Sequence, residues 1–132
     1  IPHFIEIIAP YAFYNCKNLK KIVIYNADLI GEGAFEKCTG DITNLTIKCN
    51  RILNEGDETS KTVEIGDRAF YGSGLNCDLV LHSFITSIGE YAFAYCKNLP
   101  RNSLTIYSYR IRPFAFACCG GTFTRPNSFV YN

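Results

Sequence analysis

Short runs in which apolar residues flank a third residue recur along the chain: Ile22-Val23-Ile24, Leu45-Thr46-Ile47, Leu79-Val80-Leu81, Leu104-Thr105-Ile106 and Phe129-Val130-Tyr131. A period of two belongs to a strand with one buried face, so each run reads as a short half-buried strand. Its outer residues point inward and its middle residue points out. A second element alternates with these runs. The pair Ala-Phe stands at Ala12-Phe13, Ala34-Phe35, Ala69-Phe70, Ala92-Phe93 and Ala115-Phe116, with Phe spacings of 22, 35, 23 and 23 residues. Four residues before each Ala comes Ile8, Ile30, Ile65, Ile88 or Ile111. The next residue is Gly31, Gly66 and Gly89 in the inner copies, Ala9 and Arg112 in the outer ones. Three residues after each Phe comes Cys16, Cys38, Ser73, Cys96 or Cys119. Self-similarity at a fixed period of about 20–50 residues marks a repeat architecture with one supersecondary unit per repeat.

One coil can be built from this pattern. The strand is followed by a turn and then Ile-Gly, where Gly tolerates backbone angles that other residues resist. The next position holds Pro10, Glu32, Asp67, Glu90 or Pro113, residue types that the first turn of a helix prefers. Ala-Phe is therefore expected on a short helical or 3₁₀ turn. Phe13, Phe35, Phe70, Phe93 and Phe116 should fill the coil centres as one buried column. Cys16, Cys38, Cys96 and Cys119 should close the turns from inside, since a thiol packs as a small hydrophobe. One coil cannot bury its own apolar face, but a stack buries a continuous core. The expected fold is an α/β solenoid: a short right-handed stack of about five coils, with parallel strands roughly 4.8 Å apart on the concave face and helical or 3₁₀ turns opposite.

The segments Ile1 to Phe13, Leu81 to Phe93 and Cys16 to Ile24 resemble the BspA-like leucine-rich repeats of bacterial and protozoan surface proteins. That repeat reads approximately Ile-Pro-x-x-Val-x-x-Ile-Gly-x-x-Ala-Phe-x-x-Cys-x-x-Leu-x-x-Ile-x-Ile, and nearly the whole chain follows it. Ser73, Arg112, the lengthened loops after Cys96 and Cys119, and the stretch from Lys48 to Glu64 depart from it. The resemblance implies an extracellular or cell-surface location and binding to other molecules; several members of the family are implicated in attachment to host proteins. Residues 1–132 read as a single repeat domain, with a polar insertion at 48–64 and an atypical last coil at 120–132. Ile1 matches the last strand position of a preceding coil, so the chain reads as a piece of a longer protein.

Composition narrows the function classes. Thirteen basic against 12 acidic residues give a net charge of +1, and no basic stripe of the kind nucleic acid requires is visible. The apolar runs are too short to insert into a membrane. His3 and His82 are the only histidines and lie in separate coils, and no nucleophile-elbow, zinc-binding His pair or phosphate-binding glycine loop occurs. The cysteines argue against covalent catalysis, because a catalytic residue is needed once and a packing residue in every coil. No Cys-x-x-Cys is present for a metal, and the vicinal Cys118-Cys119 is a poor chelate. Cys49, Cys77 and Cys118 lie outside the repeated slot, and a disulfide among them stays open. Glu32, Asp67 and Glu90 form an acidic ladder that suits calcium or helix starts; the outer prolines favour helix starts. Asn44-Leu45-Thr46 is a glycosylation sequon where a eukaryote secretes the protein. No enzyme activity, cofactor or metal is expected.

The outward strand residues carry the functional expectation. They are Lys21, Val23 and Tyr25; Asn44, Thr46 and Lys48; Asp78, Val80 and His82; Ser103, Thr105 and Tyr107; and Ser128, Val130 and Asn132. They should tile the concave sheet, a mixed polar face with Tyr25 and Tyr107 at its ends. Exposed strands also favour Thr, Val and Tyr for their own reasons. The candidate binding residues are Tyr25, Thr46, Val80, His82, Thr105 and Tyr107, for a protein or glycan ligand. The rival surface is the insertion from Lys48 to Lys61. The rival functions are an architectural spacer that presents another domain, and an enzyme, which would need a pocket with convergent titratable groups.

Overall fold

The computed structural model describes residues 1, 5–49, 62–108 and 110–122. Pro2, His3, Phe4, most of the insertion, and the run Phe129-Val130-Tyr131 with its outward residues lie outside them. The chain winds as a solenoid of parallel strands with two strand positions per coil. The first position gives β1 (Ile7–Ile8), β3 (Leu29–Ile30), β5 (Val63–Ile65), β7 (Ile85–Ile88) and β9 (Arg110–Ile111), paired in that order as one five-stranded sheet. The second gives β2 (Lys21–Tyr25), β4 (Asn44–Lys48), β6 (Leu79–Leu81) and β8 (Leu104–Ile106). These pair only in twos, β2 with β4 and β6 with β8. Every pairing is parallel. Five rungs make about four turns of the solenoid. The continuous sheet is thus built on the Ile-Gly element, while the alternating runs expected to form it make two separate ribbons.

The alternation itself is realised. Ile22, Ile24, Ile47, Leu79, Leu81, Leu104 and Ile106 are buried, and the residues between them face outward. Ser103 is the exception among the outward set. It is buried because the last coil passes over it: a side chain at Gly121 would meet the Ser103 hydroxyl at 2.9 Å, and the Leu104 N–H donates to Thr122 O at 3.1 Å.

The Ala-Phe segments correct the expectation of helical turns, since no helix of any kind forms among the described residues. Each segment is a chain of β-turns. In the first coil the N–H groups of Ala12, Tyr14 and Cys16 close three-residue steps onto Ala9, Tyr11 and Phe13 carbonyls. The N–H groups between them, of Tyr11, Phe13 and Asn15, donate instead to Glu32, Ala34 and Glu36 of the next coil, each at 2.8 Å. Gly33, Phe35 and Lys37 repeat this onto Asp67, Ala69 and Tyr71. A helix spends all its N–H groups along its own axis; here every second one ties neighbouring coils. The geometry needs left-handed residues, found four apart at Tyr11 and Asn15, Gly33 and Lys37, Arg68 and Gly72, Tyr91 and Tyr95, and Phe114 and Cys118. For a non-glycine residue this costs roughly 1–2 kcal/mol, offset by the bonds between coils. Pro10, Glu32, Asp67, Glu90 and Pro113 therefore sit second in a turn whose third residue has positive φ, the type II position that favours proline, and they cap no helix.

The five phenylalanines stack face to face. Successive ring centroids lie 5.0, 5.2, 5.1 and 5.3 Å apart, with interplanar angles of 2–6°. The 35-residue interval leaves no gap in this column. Phe35, Phe70 and Phe93 are buried, whereas Phe13 and Phe116 on the terminal rungs are half-buried. The cysteine slot behaves in the same way. Cys38 and Cys96 are fully buried and bond the Phe13 and Phe70 carbonyls of the preceding coil, each at 3.0 Å. Cys16 and Cys119, expected to be buried, are half-buried because they lie on the end rungs. Ser73 fills the slot in the middle coil, 3.3 Å from the Cys96 sulfur.

Gly31, Gly66 and Gly89 serve close approach and not unusual dihedrals, since none of them has positive φ. A Cβ at Gly31 would lie 2.5 Å from the Ile8 carbonyl oxygen and 2.8 Å from the Pro10 nitrogen, both backbone atoms.

Candidate functional site

The break between the two ribbons opens just beyond a point where they are still joined. Coils two and three remain tied at Ile42 and Leu75, where the Ile42 N–H donates to Gly74 O at 3.1 Å and the Asn76 N–H to Ile42 O at 2.8 Å. From Ile42 to Leu45 there are three steps along the chain, but from Leu75 to Leu79 there are four. Cys77 is half-buried against the core, and the Leu45 backbone hydrogen-bonds its sulfur. Burial pushes the Cys77 thiol above its ordinary pKa, only partly offset by that bond. Beyond this point β4 and β6 run side by side without pairing.

The result is a cleft of about 190 Å³ lined by Leu45, Thr46, Ile47, Lys48, Asp78, Val80 and His82. Three of the six candidate binding residues, Thr46, Val80 and His82, line it. The other three flank it. Tyr25 lies opposite Lys48 in register, with the Lys48 ammonium 6.0 Å from its ring centre. Thr105 is the register partner of Val80. Tyr107 lies parallel to His82 at 6.4 Å, and Phe84 stacks on the imidazole at 5.5 Å. Val80 is 45% exposed and Tyr107 37%. The Thr46 hydroxyl donates to the Asn44 amide oxygen at 2.9 Å. The face therefore offers a flat aromatic row, an ammonium and a carboxylate around a branched apolar floor. Such a surface makes contacts and hydrogen bonds, but it does not converge titratable groups on one reacting atom.

Two larger hollows lie among the described residues. One of about 480 Å³ on the flank of the first rung is lined by Ile1, Ile5, Ile7, Ile8, Ala9, Ala12 and Phe13, with no polar side chain to orient a ligand. One of about 320 Å³ lies along the five-stranded sheet and includes Glu64, Asp67, Ser87 and Arg112. Asp67 there is already engaged, accepting from the Glu90 N–H at 2.8 Å. No group of three His, Cys, Asp or Glu side chains among the described residues is placed to hold a metal ion.

The sequence reading missed the aromatic surface of the turns. Tyr11, Tyr14, Tyr95 and Phe114 are exposed there. Tyr71 is packed by Tyr95 at 5.3 Å and by the Arg68 guanidinium at 3.9 Å, and Tyr91 stacks on Phe114 at 5.3 Å. Arg68 also donates from Nε to the buried Glu36 carboxylate at 2.7 Å, which raises the guanidinium pKa further. The signal was available: the slot before Ala holds Tyr11, Tyr91 and Phe114, and the two slots after Phe hold Tyr14, Tyr71 and Tyr95. A helical assignment hid it by leaving their direction open.

The sequence model of the BspA type leucine rich repeat region matches residues 1–60 and 48–129, in six copies. The chain belongs to the BspA-type leucine-rich repeat family. No curated protein and no solved structure matches it. Leucine-rich repeats are protein-interaction modules and are generally non-catalytic. BspA-type repeats are typically surface-associated. No helix among the described residues of this BspA-type chain is long and apolar enough to cross a membrane.

Proposed function

We propose that this BspA-type chain is a surface-displayed protein-binding module, an adhesin segment, whose ligand face is the outward side of β2, β4, β6 and β8. The observation that carries the reading is the cleft between β4 and β6, around which Tyr25, Thr46, Val80, His82, Thr105 and Tyr107 gather although they come from four different coils. Tyr side chains supply large contact area and a hydrogen-bonding tip at low entropic cost. Parallel coils hold them without ordering on binding, which removes one of the costs of association. The near-neutral charge suits a protein partner better than a polyanion.

The test uses immobilised chain and a panel of purified extracellular-matrix and plasma proteins. A retained protein is then measured against three variants whose fold is checked by circular dichroism. The doubly substituted Tyr25→Ala/Tyr107→Ala chain is expected to lose at least tenfold in affinity, and a chain lacking residues 50–61 to lose little. Loss confined to the deletion would move the site to the insertion. Retention by no protein in the panel would favour an architectural spacer. The aromatic turn surface is the internal control: Tyr95→Ala should leave binding unchanged.

A further inference from the structure

The cleft is lined by backbone as well as by side chains, and the hydrogen bonds fix which way that backbone faces. The Lys48 carbonyl accepts from Asn26 N–H at 2.8 Å, so Lys48 turns its main-chain groups toward β2. In a strand, successive residues turn theirs to opposite sides. Ile47 therefore directs its N–H and C=O away from β2, toward β6. On the other wall the Leu79 N–H donates to Ser103 O at 2.8 Å, and the Leu81 carbonyl accepts from Tyr107 N–H at 2.8 Å. Leu79 and Leu81 face the fourth coil, and Val80 between them turns its N–H and C=O back toward β4. The two walls do not pair with each other. Ile47 and Val80 thus present main-chain donors and acceptors to one gap, with no partner for them among the described residues.

We propose that this gap takes up an extended segment of a partner polypeptide, which adds to the ribbons as a strand and pairs through its main chain with Val80 and Ile47. The proposal rests on the cleft being the ligand face and names the form of the ligand there. Main-chain pairing supplies affinity in strand addition, and alternate side chains supply specificity. Here the alternate side chains of the guest meet Thr46, Val80 and His82 on the outer face, with Lys48 and Asp78 offering one charge of each sign. Strand lengths limit the paired stretch to between the three residues of β6 and the five of β4. A glycan would leave the paired orientation of these backbone groups unused, and a helical peptide keeps the main-chain groups of its interior bonded along its own axis.

The experiment uses the whole chain, produced without glycosylation, and a display library of linear random-sequence peptides longer than β4. Selected peptides are synthesised with single N-methyl amides at each position in turn. Methylation should cost about tenfold or more at positions of both parities within the paired stretch, because a strand held between two walls turns successive N–H groups to opposite sides, and little outside that stretch. Val80→Pro removes one wall's N–H without touching the Leu79 and Leu81 bonds to the fourth coil, so the chain should fold and lose peptide binding by at least about tenfold. Val80→Thr keeps the N–H and should keep the affinity. Amide exchange at Ile47 and Val80 should be fast in the free chain and slow roughly tenfold or more with peptide bound. Peptides that lose affinity in Tyr25→Ala/Tyr107→Ala but tolerate every N-methyl group would overturn strand pairing and leave the ligand face standing. Peptides indifferent to every cleft variant would overturn both. Failure to select any linear peptide would overturn strand addition, while the retained-protein measurement would still decide the face.

Discussion

Replacing Phe70 by Ala perturbs the structure where its coupling is greatest. The ring is fully buried and lies between Phe35 at 5.2 Å and Phe93 at 5.1 Å, nearly parallel to both. Removing it loses the transfer energy of the side chain and leaves a cavity that flanking rings, held by their own coils, cannot collapse into. Buried Phe→Ala changes cost about 3–5 kcal/mol, and the two lost stacking partners place this one near the upper end. Phe13→Ala removes the same atoms from a half-buried site with one described ring neighbour, Phe35, and should cost about half as much. In a stacked repeat, stability is close to a sum of coil terms and nearest-neighbour interfaces. The central change therefore weakens two interfaces and the terminal change one. Urea unfolding followed by circular dichroism gives both values. Phe70→Ala should also broaden the transition, as the two halves of the stack unfold less cooperatively. Equal costs for the two variants, or less than about 1 kcal/mol for Phe70→Ala, would refute the column as the element that couples the coils.

The remaining predictions concern single atoms. Burial pushes the Cys96 thiol up to about 12 and raises the Cys38 thiol as well; in native protein both should react slowly with thiol reagents and quickly after unfolding, whereas exposed Cys118 should label at once. The raised Cys96 value also has a pH consequence: its neutral form is favoured in the fold, so its contribution is complete below the unfolded pKa near 9 and is lost as pH rises toward about 12. Stability should fall through that window, with Cys96→Ala flattening the fall at equal ionic strength. Gly31→Ala should destabilise strongly, because the added methyl meets backbone of the first coil at 2.5–2.9 Å and neither side can rotate away; a normal melting temperature for this variant would contradict the close approach of the coils.

How much of this was legible depended on what each residue could announce. The Ala-Phe spacing gave the repeat, the Phe column and the family, because a packing position must recur in every coil. The turns were misread as helical because side chains such as Tyr91 or Lys37 do not signal a left-handed backbone. Asn15, Gly33 and Gly72, which tolerate that region, carried the hint. The continuous sheet was invisible because β1, β3 and β9 are two residues each, too short for a period of two to register. Of the candidate binding residues, Thr46, Val80 and His82 line the cleft, and Tyr25, Thr105 and Tyr107 flank it. The reason given for them, an unbroken sheet, does not hold. The cleft they surround exists because β4 and β6 do not pair, and that break is a property of how the coils stack which no single residue announces.

The most direct measurement of where this BspA-type chain makes contact is a hydrogen-exchange footprint of the complex with whichever matrix or plasma protein the immobilised chain retains. Protection should concentrate on β4 (Asn44–Lys48) and on the stretch from Asp78 to His82, with weaker protection around Tyr25 and Tyr107. Protection confined to the turn surface at Tyr91, Tyr95 and Phe114, with the cleft unchanged, would contradict the account.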